Sequence, residues 1–158
     1  KVATAIVEYA MLYNAHCIVF EYLDTNGKKH GSKKQMLAMW RKQYIQDLVT
    51  HKAHREGIRI SRICAWSTSK LAYDGSGEVV RNKENHSICK FTNGKVYNCD
   101  LSASYNIGAR YYIREILKTL PAKVRSQVEA KVPQLARRTS CTLSTLINLN
   151  AVLKGIAL

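Results

Sequence analysis

Apolar residues recur along this chain with helical and strand periods that alternate. From Val2 to about Tyr13, Val2, Ile6, Tyr9 and Tyr13 fall at helical spacing among alanines, which predicts a helix packed on a sheet and ending near Asn14. Cys17 to Leu23 is apolar on both faces and rich in β-formers, the pattern of a central parallel strand covered on either side by helices. Asp24-Thr25-Asn26-Gly27 reads as a turn. A long helix follows from about Ser32 to Arg55, with Leu37, Trp40, Tyr44 and Leu48 as its inward stripe, so Trp40 and Tyr44 are expected in the core. Gly57 is the expected stop for it. Ile58 to Ile63 alternates with period two and predicts a strand with one apolar and one basic face, Arg59 and Arg62 together on the basic one.

Between Ser67 and Tyr97 the pattern breaks into very short apolar runs separated by Asp74-Gly75-Ser76-Gly77, Asn82 to Asn85 and Thr92-Asn93-Gly94, which predicts a small β insertion built of hairpins. Leu101, Tyr105, Tyr112 and Ile116 then mark a helix from Asp100 to about Leu120. Pro121 opens a shorter helix to about Lys131, Pro133 and Arg137-Arg138-Thr139-Ser140 interrupt, and a last helix runs from about Thr142 to Lys154. The resulting division is 1–66 for an α/β part, 67–97 for the insertion, 98–120 for the following helix and 121–158 for the C-terminal helices.

The chain has 158 residues, 25 of them Lys or Arg against 11 Asp or Glu, a net charge of +14 that points to a polyanionic partner, most often nucleic acid. An anionic membrane surface is the weaker alternative. No run approaches the roughly 18 consecutive apolar residues of a spanning helix, and Lys1 to Tyr13 lacks a signal-peptide layout, so an intracellular, cytoplasmic protein is expected. The five cysteines, an odd number with no C-x-x-C pair, argue against a secreted disulfide framework.

Two carboxylates stand out. Glu21 shares a face with Val19 and Leu23 in a run that otherwise belongs inside, and an unpaired buried carboxylate is costly. Partial exposure or a Lys or Arg partner accounts for it structurally; ligation of a cation accounts for it functionally. Asp100 opens a helix whose first turns are small, and Asp is a favoured N-cap. One oxygen can cap while the other binds a cation, and parallel α/β sheets place their sites at strand C-terminal ends, where Glu21 stands. Such a pair suits Mg²⁺, with Mn²⁺ as an alternative. Lys28, Lys29, Lys33, Lys34, Arg41, Lys42, Arg59, Arg137 and Arg138 are candidate contacts to nucleic acid, a solvated helix face being the plainer reading of the first six.

Ile18-Val19-Phe20-Glu21-Tyr22-Leu23 resembles the second RuvC motif, and Asp100-Leu101-Ser102-Ala103-Ser104-Tyr105-Asn106-Ile107 resembles the third, a D-x-N-A-A-x-N-I pattern, of the TnpB transposon-encoded nucleases and type V CRISPR effectors. The two acids are 79 positions apart, room for the helix and insert such proteins hold there. The resemblance implies the C-terminal portion of an RNase H-like (RuvC) α/β fold, and Mg²⁺-dependent cleavage of target DNA under guide RNA, with Glu21 and Asp100 as catalytic metal ligands. It also implies a first acid upstream of Lys1, in the remainder of the nuclease, so this piece alone is expected to be inactive. The insertion resembles a degenerate zinc ribbon: positions after Thr68-Ser69-Lys70 hold Ala72 and Gly75 where cysteines are expected, and past Cys89 the partner position holds Thr92. Structural Zn²⁺ is therefore not expected, Cys64, His86, Cys89 and Cys99 being an irregular set. The same ancestry also admits a nuclease-dead, RNA-guided DNA-binding regulator, and a basic RNA-binding module is a third possibility.

Overall fold

The computed structural model of the chain describes residues 1–22 and 33–156, and at residues 33–36, 38 and 39 the backbone alone. It is a mixed α/β structure in two compact units, Lys1–Ile63 and Cys64–Leu158.

In the first unit, helix α1 (Val2–Leu12) precedes strand β1 (Cys17–Glu21), and helix α2 (Lys33–Arg55) leads to strand β2 (Arg59–Ile63). β1 and β2 pair in parallel, Cys17 opposite Arg59 and Glu21 opposite Ile63, as expected of a strand-helix-strand unit. Gly57 ends α2 with a φ of +69°, the left-handed conformation that a helix-terminal glycine adopts without strain. The core joins Ala3, Val7 and Ala10 of α1 to Val49 and Ala53 of α2 and to Ile58, with Ile18, Phe20 and Ile60 packed against it.

The inward faces differ from those the periodicity predicts. Val2, Tyr9 and Tyr13 of the first helix are exposed, and so are all four residues of the predicted α2 stripe, Leu37, Trp40, Tyr44 and Leu48. The buried residues between α1 and α2 are alanines and valines, and large rings there would force the two helices apart. β1 is half-buried along its length and, among the described residues, pairs with β2. The predicted basic face of β2 is also corrected: Arg59 and Arg62 are three positions apart and point to opposite sides of a pleated strand. Arg62 lies on the α2 side, where it meets Gln46 and Asp47. The Asp24–Gly27 turn lies outside the described residues.

In the second unit, strands β3 (Val80–Arg81), β4 (Ile88–Lys90) and β5 (Val96–Asn98) form a small antiparallel sheet in that order. Its core is Ala72, Cys89, Phe91 and Cys99, flanked by Tyr73, Val79 and Tyr97. β5 runs directly into helix α3 (Cys99–Thr119), followed by α4 (Ala122–Lys131), two 3₁₀ turns (Pro133–Ala136 and Arg138–Ser140) and α5 (Leu143–Lys154). Ile113 and Leu117 of α3, Val128, Val132, Leu135, Cys141 and Leu149 make a second core. Thr142 caps α5, its side chain and that of Thr145 each reaching the other's backbone N–H. The Asp74–Gly77 turn abuts this cap: a Cβ on Gly75 would stand 2.9 Å from Cβ of Ser144, and Ser144 N donates to Tyr73 O at 3.0 Å.

Candidate functional site

Glu21 is the last residue of β1, at the C-terminal end of a parallel pair. Its carbonyl accepts from Nε2 of buried Gln46 at 3.0 Å, and Oε1 of Gln46 accepts from Arg62 Nε at 3.4 Å. A single amide from α2 thereby ties the ends of both strands. The Glu21 carboxylate is about one-third exposed and faces Lys42 Nζ across 3.8 Å. The lysine partner anticipated from the sequence is therefore Lys42, which leaves the carboxylate open to solvent and to a cation. An ion pair so exposed contributes about 0–1 kcal/mol.

Asp100 sits in the first turn of α3 and is exposed. It is not the cap. Asn98 is, its Oδ1 accepting from Asp100 N at 2.9 Å and Leu101 N at 3.0 Å. An asparagine here satisfies two of the four N–H groups that open a helix. Among the described residues no hydrogen bond or ion pair reaches the Asp100 carboxylate. The helix dipole favours negative charge at that end, and both oxygens remain available to a ligand.

What holds α3 in place was missed in the sequence. Leu101, Tyr105 and Tyr112, three of the four residues that mark the helix, are exposed, while Ser102, Asn106 and Arg110 are buried at i, i+4 and i+8. Asn106 donates to Thr68 O at 3.0 Å and Leu71 O at 2.9 Å and accepts from Leu143 N at 3.3 Å; Ser102 adds a longer bond to Leu71 O. Arg110 donates to Cys64 O at 2.9 Å, Trp66 O at 2.8 Å, Cys141 O at 3.1 Å and Thr139 O. Burial draws this guanidinium below its ordinary pKa, and four carbonyl dipoles stand where a carboxylate usually would. The polar residues of the motif thus stitch α3 to the 64–71 and 139–143 segments. The available signal was their spacing, a polar stripe four residues apart that lines one face of a helix.

Of the basic candidates, Arg41 and Lys42 on α2, Arg59 on β2 and Arg137 and Arg138 at the 3₁₀ turns are exposed. Lys28 and Lys29 lie outside the described residues, as do the side chains of Lys33 and Lys34. The structure brings together Glu21 and Lys42.

Cys89 and Cys99 are buried in the insertion, while Cys64 and His86 are exposed. Burial first, and then the neighbouring Cys99 thiol, push the Cys89 thiol up to about 11, the opposite of a thiol poised as a ligand. Among the described residues no three His, Cys, Asp or Glu side chains gather closely enough to hold a metal ion. A magnesium site of two carboxylates completed by waters and phosphates is of another kind. No described helix is long and apolar enough to cross a membrane. No protein-family model matches the chain, and no curated protein matches it either.

Proposed function

We propose that this chain is the C-terminal part of a RuvC-type, RNA-guided DNA endonuclease of RNase H-like fold, in which Glu21 and Asp100 ligate Mg²⁺ or Mn²⁺. The reading rests on the two motifs. Its single strongest support is the state of Asp100, an exposed carboxylate in the first turn of α3, relieved of capping by Asn98 and without a protein partner among the described residues. Glu21 supports it in its own unit, standing at the carboxyl end of a parallel strand, where α/β sheets hold their ligands.

Held by these carboxylates, Mg²⁺ or Mn²⁺ would supply activation of an attacking water and charge stabilisation at the leaving oxygen of a phosphodiester. The residues of this chain would supply carboxylate oxygens, a helix N-terminus at Asp100, and cations at Arg41, Lys42, Arg59, Arg137 and Arg138 to hold phosphates of guide RNA and target DNA. A first acid would come from the remainder of the nuclease. One observation favours a second reading, a nuclease-dead DNA-binding regulator: Lys42 stands 3.8 Å from Glu21 and competes with a metal for it. Mg²⁺-dependent cleavage by the complete protein with its guide RNA tests both. Loss of cutting in Asp100→Ala and in Glu21→Gln, with guide and target binding retained, supports the nuclease. Cleavage unchanged by either substitution refutes it, and no cleavage by the parent under any divalent ion, with guide-dependent binding of target DNA retained, supports the regulator.

A further inference from the structure

The stripe that was expected inside α2 is on its surface. Trp40 and Tyr44 are 60% and 51% exposed, and their rings lie 5.5 Å apart with planes inclined by 8°. Leu48 continues the stripe one turn on, and Arg41, Lys52 and Arg55, all exposed, share or border that face at helical spacing. The one acid of the helix, Asp47, borders the other edge and is held by Arg62 at 3.7 Å. Two near-parallel, mutually stacked and exposed aromatic rings rimmed by cations match the two needs of an unpaired nucleic-acid strand: flat π surfaces that extend a stack to its bases and positive charge for its backbone.

We propose that the Trp40–Tyr44 pair is a base-stacking platform for single-stranded nucleic acid, with Arg41 and the Lys52–Arg55 turn taking its phosphates. The inference deepens the nucleic-acid reading above and gives it a strand type, independent of any base sequence. A polypeptide seated on the same stripe would need acidic flanks to meet this rim, and duplex DNA offers no free base faces to the rings.

The test is binding of a fluorescently labelled oligothymidylate of about 20 nucleotides, long enough to span a typical single-strand site, to the complete protein in EDTA, followed by anisotropy, with Asp100→Ala present throughout. Cleavage is then absent, so failure of the nuclease reading leaves the result untouched. Trp40→Leu and Tyr44→Ala each weaken binding roughly tenfold, the loss expected for one stacked base, while Trp40→Phe stays within about threefold of the parent. Arg41→Ala lowers the slope of log affinity against log salt by about 0.7, one phosphate on a single strand. Because both rings are exposed, helicity by circular dichroism is unchanged in these variants. Parental affinity in Trp40→Leu and Tyr44→Ala, or equal losses on a labelled duplex and on the single strand, overturns the proposal, the first pointing instead to a polypeptide on this face.

Discussion

Helices α2 and α3 are close in length, 23 and 21 residues, and both turn aromatic residues outward, yet they are held by different forces. α2 turns Val49 and Ala53 onto α1, contacts that are non-directional and tolerate small shifts. The first half of α3 turns Ser102, Asn106 and Arg110 inward, and each hydrogen bond it makes is directional and specific to one carbonyl or amide. Ala109 and Tyr111 are buried beside them, and from Ile113 onward α3 packs as an ordinary apolar helix. The difference teaches where each candidate acid gets its precision. Asp100 inherits the exact register of a hydrogen-bonded ladder, whereas Glu21 depends on strand pairing and on Gln46.

The comparison can be broken most severely at Arg110. Arg110→Met leaves up to four carbonyls without their donor at about 1–3 kcal/mol for each that water cannot reach, and should cost the second unit roughly 3–5 kcal/mol in urea unfolding. Asn106→Leu removes three bonds from a fully buried site and should cost about 2–4 kcal/mol by the same measurement. If either variant unfolds at the parental midpoint, the polar ladder is not what holds α3.

Gentler substitutions sharpen the contrast. Asn98→Ala should cost about 1 kcal/mol, the usual worth of a cap, and fray the turn that carries Asp100, seen as faster amide exchange at residues 100 and 101. Lys42→Ala should change stability by less than about 0.5 kcal/mol, since its pair with Glu21 is exposed. Its informative readout is divalent-ion affinity, which should rise when the competing ammonium is gone.

Most of the elements were legible in the sequence: the strand-helix-strand unit, the hairpin insertion, the helix after it and the last helix all follow from period and punctuation. The buried faces were not. Periodicity weights large apolar residues, and here close helix packing selects Ala3, Ala10 and Ala53 while the larger Tyr9, Trp40 and Tyr44 remain outside. For Arg59 and Arg62, counting by two would have separated them; the alternation was broken by Ser61-Arg62-Ile63, where a polar pair is followed by buried Ile63. At the candidate site, Asp100 drew the role of cap because it is acidic and near the helix start, although Asn98, two residues earlier, is as good a capping residue and has the non-helical backbone the position requires. Asn106 stands out in the sequence only as part of a motif, since no local pattern announces which distant carbonyls a buried amide will meet.

The central claim is that Glu21 and Asp100 both bind divalent metal. Mn²⁺ titration of the complete protein followed by electron paramagnetic resonance tests it directly, with Glu21→Gln and Asp100→Asn measured separately. The account predicts that each substitution alone weakens Mn²⁺ binding at least about tenfold, the lower end of what a metal site loses when one of its supporting groups is removed, with the fold intact. Parental Mn²⁺ affinity in either variant would contradict it.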